Sequence, residues 1–241
     1  AIVNTTGRNL KPTPDERRER QDAIARVKGR LRVTSAAAGN PRTILLLEKA
    51  LDNLSSLQEL SLLDQEADPP VWKLYRDKKM GENLLWLLNR YYRGQKIIVL
   101  VGGGHAAHDI GALYAQAEKS SFTDYRTMGD IVHEHLGRDV YTIQFAAYEG
   151  QFGNPFQRPR PLAPARVGSL EDLWHRTGRR YAFLDVRSLL ADHWLRRPVF
   201  ARPFAYTEQE ATWGDHFDAF LYTDVMFPSS RAGSVPEGVK K

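Results

Sequence analysis

Lys96-Ile97-Ile98-Val99-Leu100-Val101-Gly102-Gly103-Gly104-His105 decides how the fold is read. Its continuous apolar run reads as a strand buried on both faces, which points to a parallel sheet with helices on either side. The glycines let the backbone turn sharply, and His105 stands where the strand ends. In open α/β sheets ligands bind outside the carboxyl ends of the strands, so this histidine occupies a position where chemistry is expected.

Working outward, Thr13-Pro14-Asp15-Glu16 opens a charged helix with a capping box and a narrow apolar stripe of Ile24, Val27 and Leu31. Asn40-Pro41 opens a second helix to about residue 64, with Ile44, Leu47, Leu51 and Leu54 at helical spacing. The two are expected to pack as a hairpin, closed by Asp68-Pro69-Pro70. A third helix is expected from Val71 to Tyr92, ended by Gly94. Beyond the 96–101 strand come a helix from Ala106 to Lys119 and another from Thr127 to Leu136. A second buried strand is expected over Val140 to Ala146, a loop over 151–165 and a short helix capped by Ser169. Tyr181–Val186 and Phe217–Thr223 are further strands. The alternation predicts an α/β fold: a parallel-rich central sheet flanked by helices, with an N-terminal helical hairpin. The expected boundaries are 1–66 for the helical segment and 67–241 for the α/β domain.

At 241 residues and 42% hydrophobic, the chain can bury a sizeable core. Zero cysteines exclude disulfides, thiolate catalysis and Cys-based zinc sites. No apolar run reaches membrane-spanning length, and no apolar signal segment stands near the start. The compartment stays open, with the cytoplasm preferred. The net charge of +5 comes from scattered arginines rather than a basic stripe interleaved with aromatics, so no nucleic-acid partner is expected. The first residue is Ala, consistent with a processed or trimmed piece.

Trp72, Arg76, Met80, Asn83, Leu87 and Tyr91 share one face of the third helix. Arg76 and Asn83 are then polar groups aimed inward. Arg76 reads either as half of a structural ion pair, with Asp77, Glu82 or a strand-end acid, or as a site arginine. His105 reads either as a cap of the next helix or as a base or proton carrier. His105, His108 and Asp109 have the spacing of a metal half-site, but spacing indicates no third ligand, so neither metal nor cofactor is expected. His133 and His135, two apart, would splay on a helix and read as surface residues. The triple glycine lacks the Gly-Lys-Ser/Thr ending of a P-loop and the spacing of a dinucleotide fingerprint. A phosphate over residues 102–104 is the weakest reading. There is no Gly-x-Ser-x-Gly elbow.

Arg76-Asp77-Lys78-Lys79-Met80-Gly81-Glu82-Asn83 resembles the Arg-Asp-x-x-Met-x-x-Asn helix of the erythromycin esterase family. A lysine-led strand ending in a histidine follows, then Met128-Gly129, Leu136-Gly137 and Val140-Tyr141-Thr142-Ile143. The last motif, Phe217-Asp218-Ala219-Phe220-Leu221-Tyr222, is similar to that family's final Phe-Asp-Ala strand. The resemblance covers residues 40 to 230. It implies an α/β hydrolase of ester or lactone bonds that uses histidine-activated water, without metal or covalent serine. Well-studied members open the lactone of macrolide antibiotics. By motif, Arg76 would bind the substrate or developing oxyanion, and His105 would be a supporting histidine around the attacking water. Met80, Asn83 and Gly104 are the expected substrate-binding residues, and a small-molecule ester or lactone the expected partner.

Two positions depart from the pattern. Antibiotic-cleaving members carry a further histidine three residues before the one matched by His105, and Gly102 stands there. The family's front motif, of the Gly-Glu-x-x-His-Gly type, does not occur in these residues. The alternative is therefore a non-catalytic binding protein that keeps the scaffold and lacks the base. Without its first strands, the sheet would expose an edge and favour a homodimer.

Overall fold

The computed structural model describes residues 12–35, 40–63, 69–111, 113, 125–153, 158–204 and 206–229. The chain divides into two units, Ala1–Ile97 and Ile98–Lys241.

In the first unit, α1 (Pro14–Ser35) begins at the predicted capping box: Thr13 N–H donates to Glu16 Oε2 at 2.7 Å, and Glu16 N–H donates to Thr13 Oγ1 at 3.3 Å. α2 (Pro41–Leu60) is capped by Asn40, whose side-chain oxygen accepts from Arg42 N–H at 2.9 Å. α1 and α2 pair as the expected hairpin, bridged by Lys28 and Asp52 at 2.5 Å. α3 (Pro69–Trp86) takes the two prolines into its first turn, where a missing N–H costs nothing, rather than after them. A π-helical turn at Leu87–Tyr91 prolongs it, and Gly94 at φ +73° follows. The deepest line on α3 is Asp77, Gly81 and Leu85, at steps of four. That line lies one residue round from the expected face, so Trp72, Arg76, Met80 and Asn83 are half-buried flankers rather than its centre.

The second unit holds a four-stranded sheet in the order β2-β1-β6-β3. Its strands are β1 (Ile143–Phe152), β2 (Arg160–Leu162), β3 (Tyr181–Asp185) and β6 (Ala219–Met226). β1 and β6 run parallel; β2 on β1 and β3 on β6 are antiparallel. The fold is α/β with a mixed sheet. β4 (Val199–Phe204) and β5 (Thr207–Ala211) form a separate hairpin that the sequence reading did not anticipate. α6 (Leu170–His175) is capped by Ser169 as predicted, and packs with β4 over β1.

The strand expected at 96–101 is not formed. Among the described residues none pairs with it, and Ile98 is 100% exposed and Leu100 88% exposed. A continuous apolar run records the environment a strand would occupy, but a strand exists only beside another ladder. The second expected strand also differs. β1 starts three residues later than predicted, and its sides alternate: Gln144 and Ala146 are buried, whereas Ile143 and Phe145 are exposed. One face of this sheet is therefore covered, and the other presents Phe145, Leu221 and Phe183 in register across three strands. On the covered side Phe204, Trp213, Phe217 and Phe220 form a chain of ring contacts at 5.7–6.0 Å.

The helix expected from Ala106 to Lys119 starts earlier and breaks. α4 (Gly103–Ala106) is one turn, and residues 107–109 leave the helix, with Asp109 at φ +54°. Residues 112 and 114–119 lie outside the described residues. α5 (Met128–Leu136) begins at Thr127 as predicted. Among the described residues no helix is long and apolar enough to cross a membrane.

Candidate functional site

The turn carrying His105 and His108 is held from below by the start of α5. Thr127 Oγ1 donates to Ala107 O at 2.5 Å, and Asp130 Oδ1 accepts from Asp109 N–H at 2.5 Å. The same Asp130 closes the capping box, accepting from Thr127 N–H at 2.7 Å while Thr127 Oγ1 accepts from Asp130 N–H at 2.9 Å. So close a contact needs Gly129: a Cβ there would lie 2.2 Å from Ala106 O and 2.5 Å from Ala107 O. Gly103 has a similar reason, since a Cβ would meet the buried Gln144 amide at 2.2 Å.

From above, the turn is tied to the segment entering β6. His108 N–H donates to His216 O at 3.2 Å, and His216 Nδ1 donates to His108 O at 3.0 Å. Two residues on, Asp218 is almost fully buried, with one hydrogen bond to each carboxylate oxygen. Its Oδ2 accepts from Thr142 N–H at 2.7 Å and its Oδ1 from Arg187 Nε at 2.7 Å. Thr142 and Asp218 stand immediately before the parallel pair β1 and β6, so sheet formation itself brings them together.

His133 corrects the surface reading. From α5 it reaches inward, half-buried, with its ring centroid 4.2 Å from that of His108 and its Nε2 3.2 Å from Thr142 Oγ1. His135 does point outward, its Nδ1 2.8 Å from Ile131 O. The result is a cluster in which one ligand atom from each of His108, His133 and Asp218 lies within 4.8 Å of the others. Nε2 of His108 is buried without a hydrogen-bond partner among the described residues. Burial pushes His108 below the usual histidine range, reinforced by the neighbouring imidazole of His133. Burial likewise pushes His133 down, against the opposing pull of the Asp218 carboxylate.

The residues picked from sequence fall into two groups. Arg76, Met80 and Asn83 share α3 in the first unit, where the Arg76 guanidinium lies 4.6 Å over the Trp72 ring. Glu82, one of its expected partners, is taken by Lys79 at 2.9 Å. Gly104 and His105 sit in α4 of the second unit, half-buried, with Gly104 facing Phe204. A single turn sums too few peptide dipoles to hold an anion, which removes the basis for the phosphate reading. The sequence reading missed His133 and Asp218. The capping box Thr127-x-x-Asp130 sets the register of α5, and Asp218 opens the strand of the Phe-Asp-Ala motif; together these were the signals that could have found them.

The family model described as erythromycin esterase matches residues 4–226. The chain belongs to the erythromycin esterase family. Within the curated proteins it is similar to "Putative hydrolase YbfO" of Bacillus subtilis (strain 168), 26% identical over 160 residues. That match takes in 64% of this chain and 35% of the relative, so the chain spans about a third of that protein's length. Two solved structures share the fold seen here. One is a succinoglycan biosynthesis protein, at TM-score 0.64 and 16% identity, covering 89% of this chain and 51% of that one. The other is a Bacillus cereus protein, at TM-score 0.60 and 16% identity, covering 90% and 55%. At these identities the likeness speaks for the fold.

Proposed function

We propose that this chain belongs to a hydrolase of ester or lactone bonds in small molecules, in which histidine-activated water attacks the carbonyl without a covalent serine. The observation that carries the reading is the His105–His108 turn, pinned between the α5 cap and the entry to β6. Family membership and the hydrolase name of the Bacillus subtilis relative support it. His105 is assigned to the supporting histidines around the attacking water, a role requiring an imidazole fixed in place. Arg76 is assigned to the carbonyl oxygen, whose negative charge grows toward the tetrahedral intermediate. Asn83 contributes a hydrogen bond to substrate, Met80 an apolar contact, and Gly104 room for close approach. The reaction as proposed needs no metal ion. A hydrolysis panel of macrolactones and simple esters tests it. His105→Ala and Arg76→Ala are each expected to cost on the order of 10²-fold or more in kcat/KM at an unchanged melting temperature. Undiminished turnover in both variants would refute the assignment.

A second reading is a binding protein without turnover. It is favoured by Gly102 in place of a histidine and by the lack of a Gly-Glu-x-x-His-Gly type motif in these residues. It predicts ligand retention in equilibrium dialysis with no product formed.

A further inference from the structure

The cluster formed by His108, His133 and Asp218 has a chemistry that hydrolysis with activated water does not call upon. Two imidazoles and one carboxylate converge from three different stretches of chain: the turn after α4, the middle of α5 and the entry to β6. Their ligand atoms lie within 4.8 Å of one another. Tetrahedral Zn²⁺, with bonds of about 2.0–2.2 Å to nitrogen and oxygen, spaces its ligands about 3.3–3.6 Å apart. Small side-chain rotations close the difference. Among the described residues nothing satisfies the buried Nε2 of His108, the kind of orphaned atom that a ligand or ion accounts for.

We propose that His108, His133 and Asp218 form a binding site for a divalent transition ion of the zinc type, with three protein ligands and a fourth position filled by water. A mixed nitrogen and oxygen set suits an ion of borderline softness, whereas magnesium and calcium prefer oxygen alone. The supporting shell is already built. Thr142 N–H and Arg187 Nε fix the Asp218 carboxylate at 2.7 Å each, leaving lone pairs on both oxygens. Paired backbone and ring hydrogen bonds with residue 216 hold the main chain of His108. The Thr127–Asp130 capping box sets the register of α5 and with it His133. The Arg187 cation, 2.7 Å from the carboxylate as its outer partner, opposes a second positive charge. That opposition lowers the expected affinity. The site joins three segments distant in sequence, so an ion there acts as a staple. Its occupancy is independent of the hydrolase reading above.

The test is isothermal titration of the chelator-treated chain with Zn²⁺, beside thermal unfolding with and without the ion. One ion per chain and a raised melting temperature are expected, because an ion that binds only the folded state stabilises it. His133→Gln and Asp218→Asn should each weaken binding at least tenfold. His135→Ala, two residues away on the outer face of α5, should bind like the parent. No heat of binding at 100 μM Zn²⁺, or equal binding by all three variants, would overturn the proposal. Should either variant fail to fold, Co²⁺ added to the unaltered chain decides. Intense visible bands of a four-coordinate ion support the site, and the weak spectrum of six-coordinate Co²⁺ contradicts it.

Discussion

Replacing Gly129 by alanine probes the contact on which the histidine turn depends. The added Cβ would sit 2.2 Å from Ala106 O and 2.5 Å from Ala107 O, both main-chain atoms with no rotamer to move. Relief requires the start of α5 and the 106–109 turn to separate by about 1 Å, since ordinary carbon–oxygen contacts lie beyond about 3.2 Å. Such a shift strains the two hydrogen bonds that clamp the turn, from Thr127 Oγ1 to Ala107 O and from Asp109 N–H to Asp130. One is neutral and one ends on a carboxylate, so together they are worth about 2–4 kcal/mol. Alanine returns up to about 1 kcal/mol through its helix propensity. The clash wins by about 1–3 kcal/mol, which for a chain of this length lowers Tm by roughly 2–12 °C. Urea and thermal unfolding followed by tryptophan emission, to which the buried Trp213 contributes, measure it. Gly102→Ala is the control. At φ −62° and ψ 138°, with its nearest neighbour 3.6 Å from a new Cβ, it should change stability by less than about 0.5 kcal/mol. Equal Tm values for Gly129→Ala and Gly102→Ala would refute the reasoning.

Two further outcomes follow from other parts of the second unit. The hydrogen bond from His175 holds the Asp224 carboxyl below the usual carboxylate range, with Tyr222 adding a second at 3.0 Å. A folded pKa below the unfolded value, about 3.9, gives stability that is full above that value and is lost as pH falls through the folded one. Asp224→Asn should therefore lower the urea midpoint at pH 7, with the gap to the parent narrowing below about pH 4; a constant gap would contradict this. The exposed row of Phe145, Leu221 and Phe183 should drive self-association, the homodimer among its forms. Light scattering should show mass falling toward the monomer in the double variant Phe145→Lys, Phe183→Lys, and a parent that is itself a monodisperse monomer would contradict it.

Local chemistry was legible in the sequence wherever it was self-contained. Thr13, Asn40, Thr127 and Ser169 each announced a helix start, because a cap and its N–H partners lie within three residues. The motif order carried the family as well. What needed distant partners was not legible. Ile97 to Val101 looks the same in sequence whether or not a neighbouring strand pairs with it. The β4–β5 hairpin carries Arg202 and Pro203, residue types that are mostly exposed and disfavoured inside strands. The Arg202 guanidinium is in fact buried, donating to Ala163 O at 2.9 Å, Ala147 O at 3.0 Å and Tyr148 O at 2.7 Å. These acceptors are carbonyls, which no side-chain pattern advertises. His133 was misjudged for the same reason: its spacing from His135 is local, whereas its neighbours His108 and Asp218 are brought by the packing of α5 and the pairing of β1 with β6.

The most direct test of the functional account is kcat/KM for lactone and ester hydrolysis by the parent and by His105→Ala, with both shown to unfold at the same temperature. Measurable hydrolysis by the parent and a loss on the order of 10²-fold or more in the variant are predicted. Equal rates in the two proteins, or no hydrolysis by the parent of any lactone or ester tried, would contradict it.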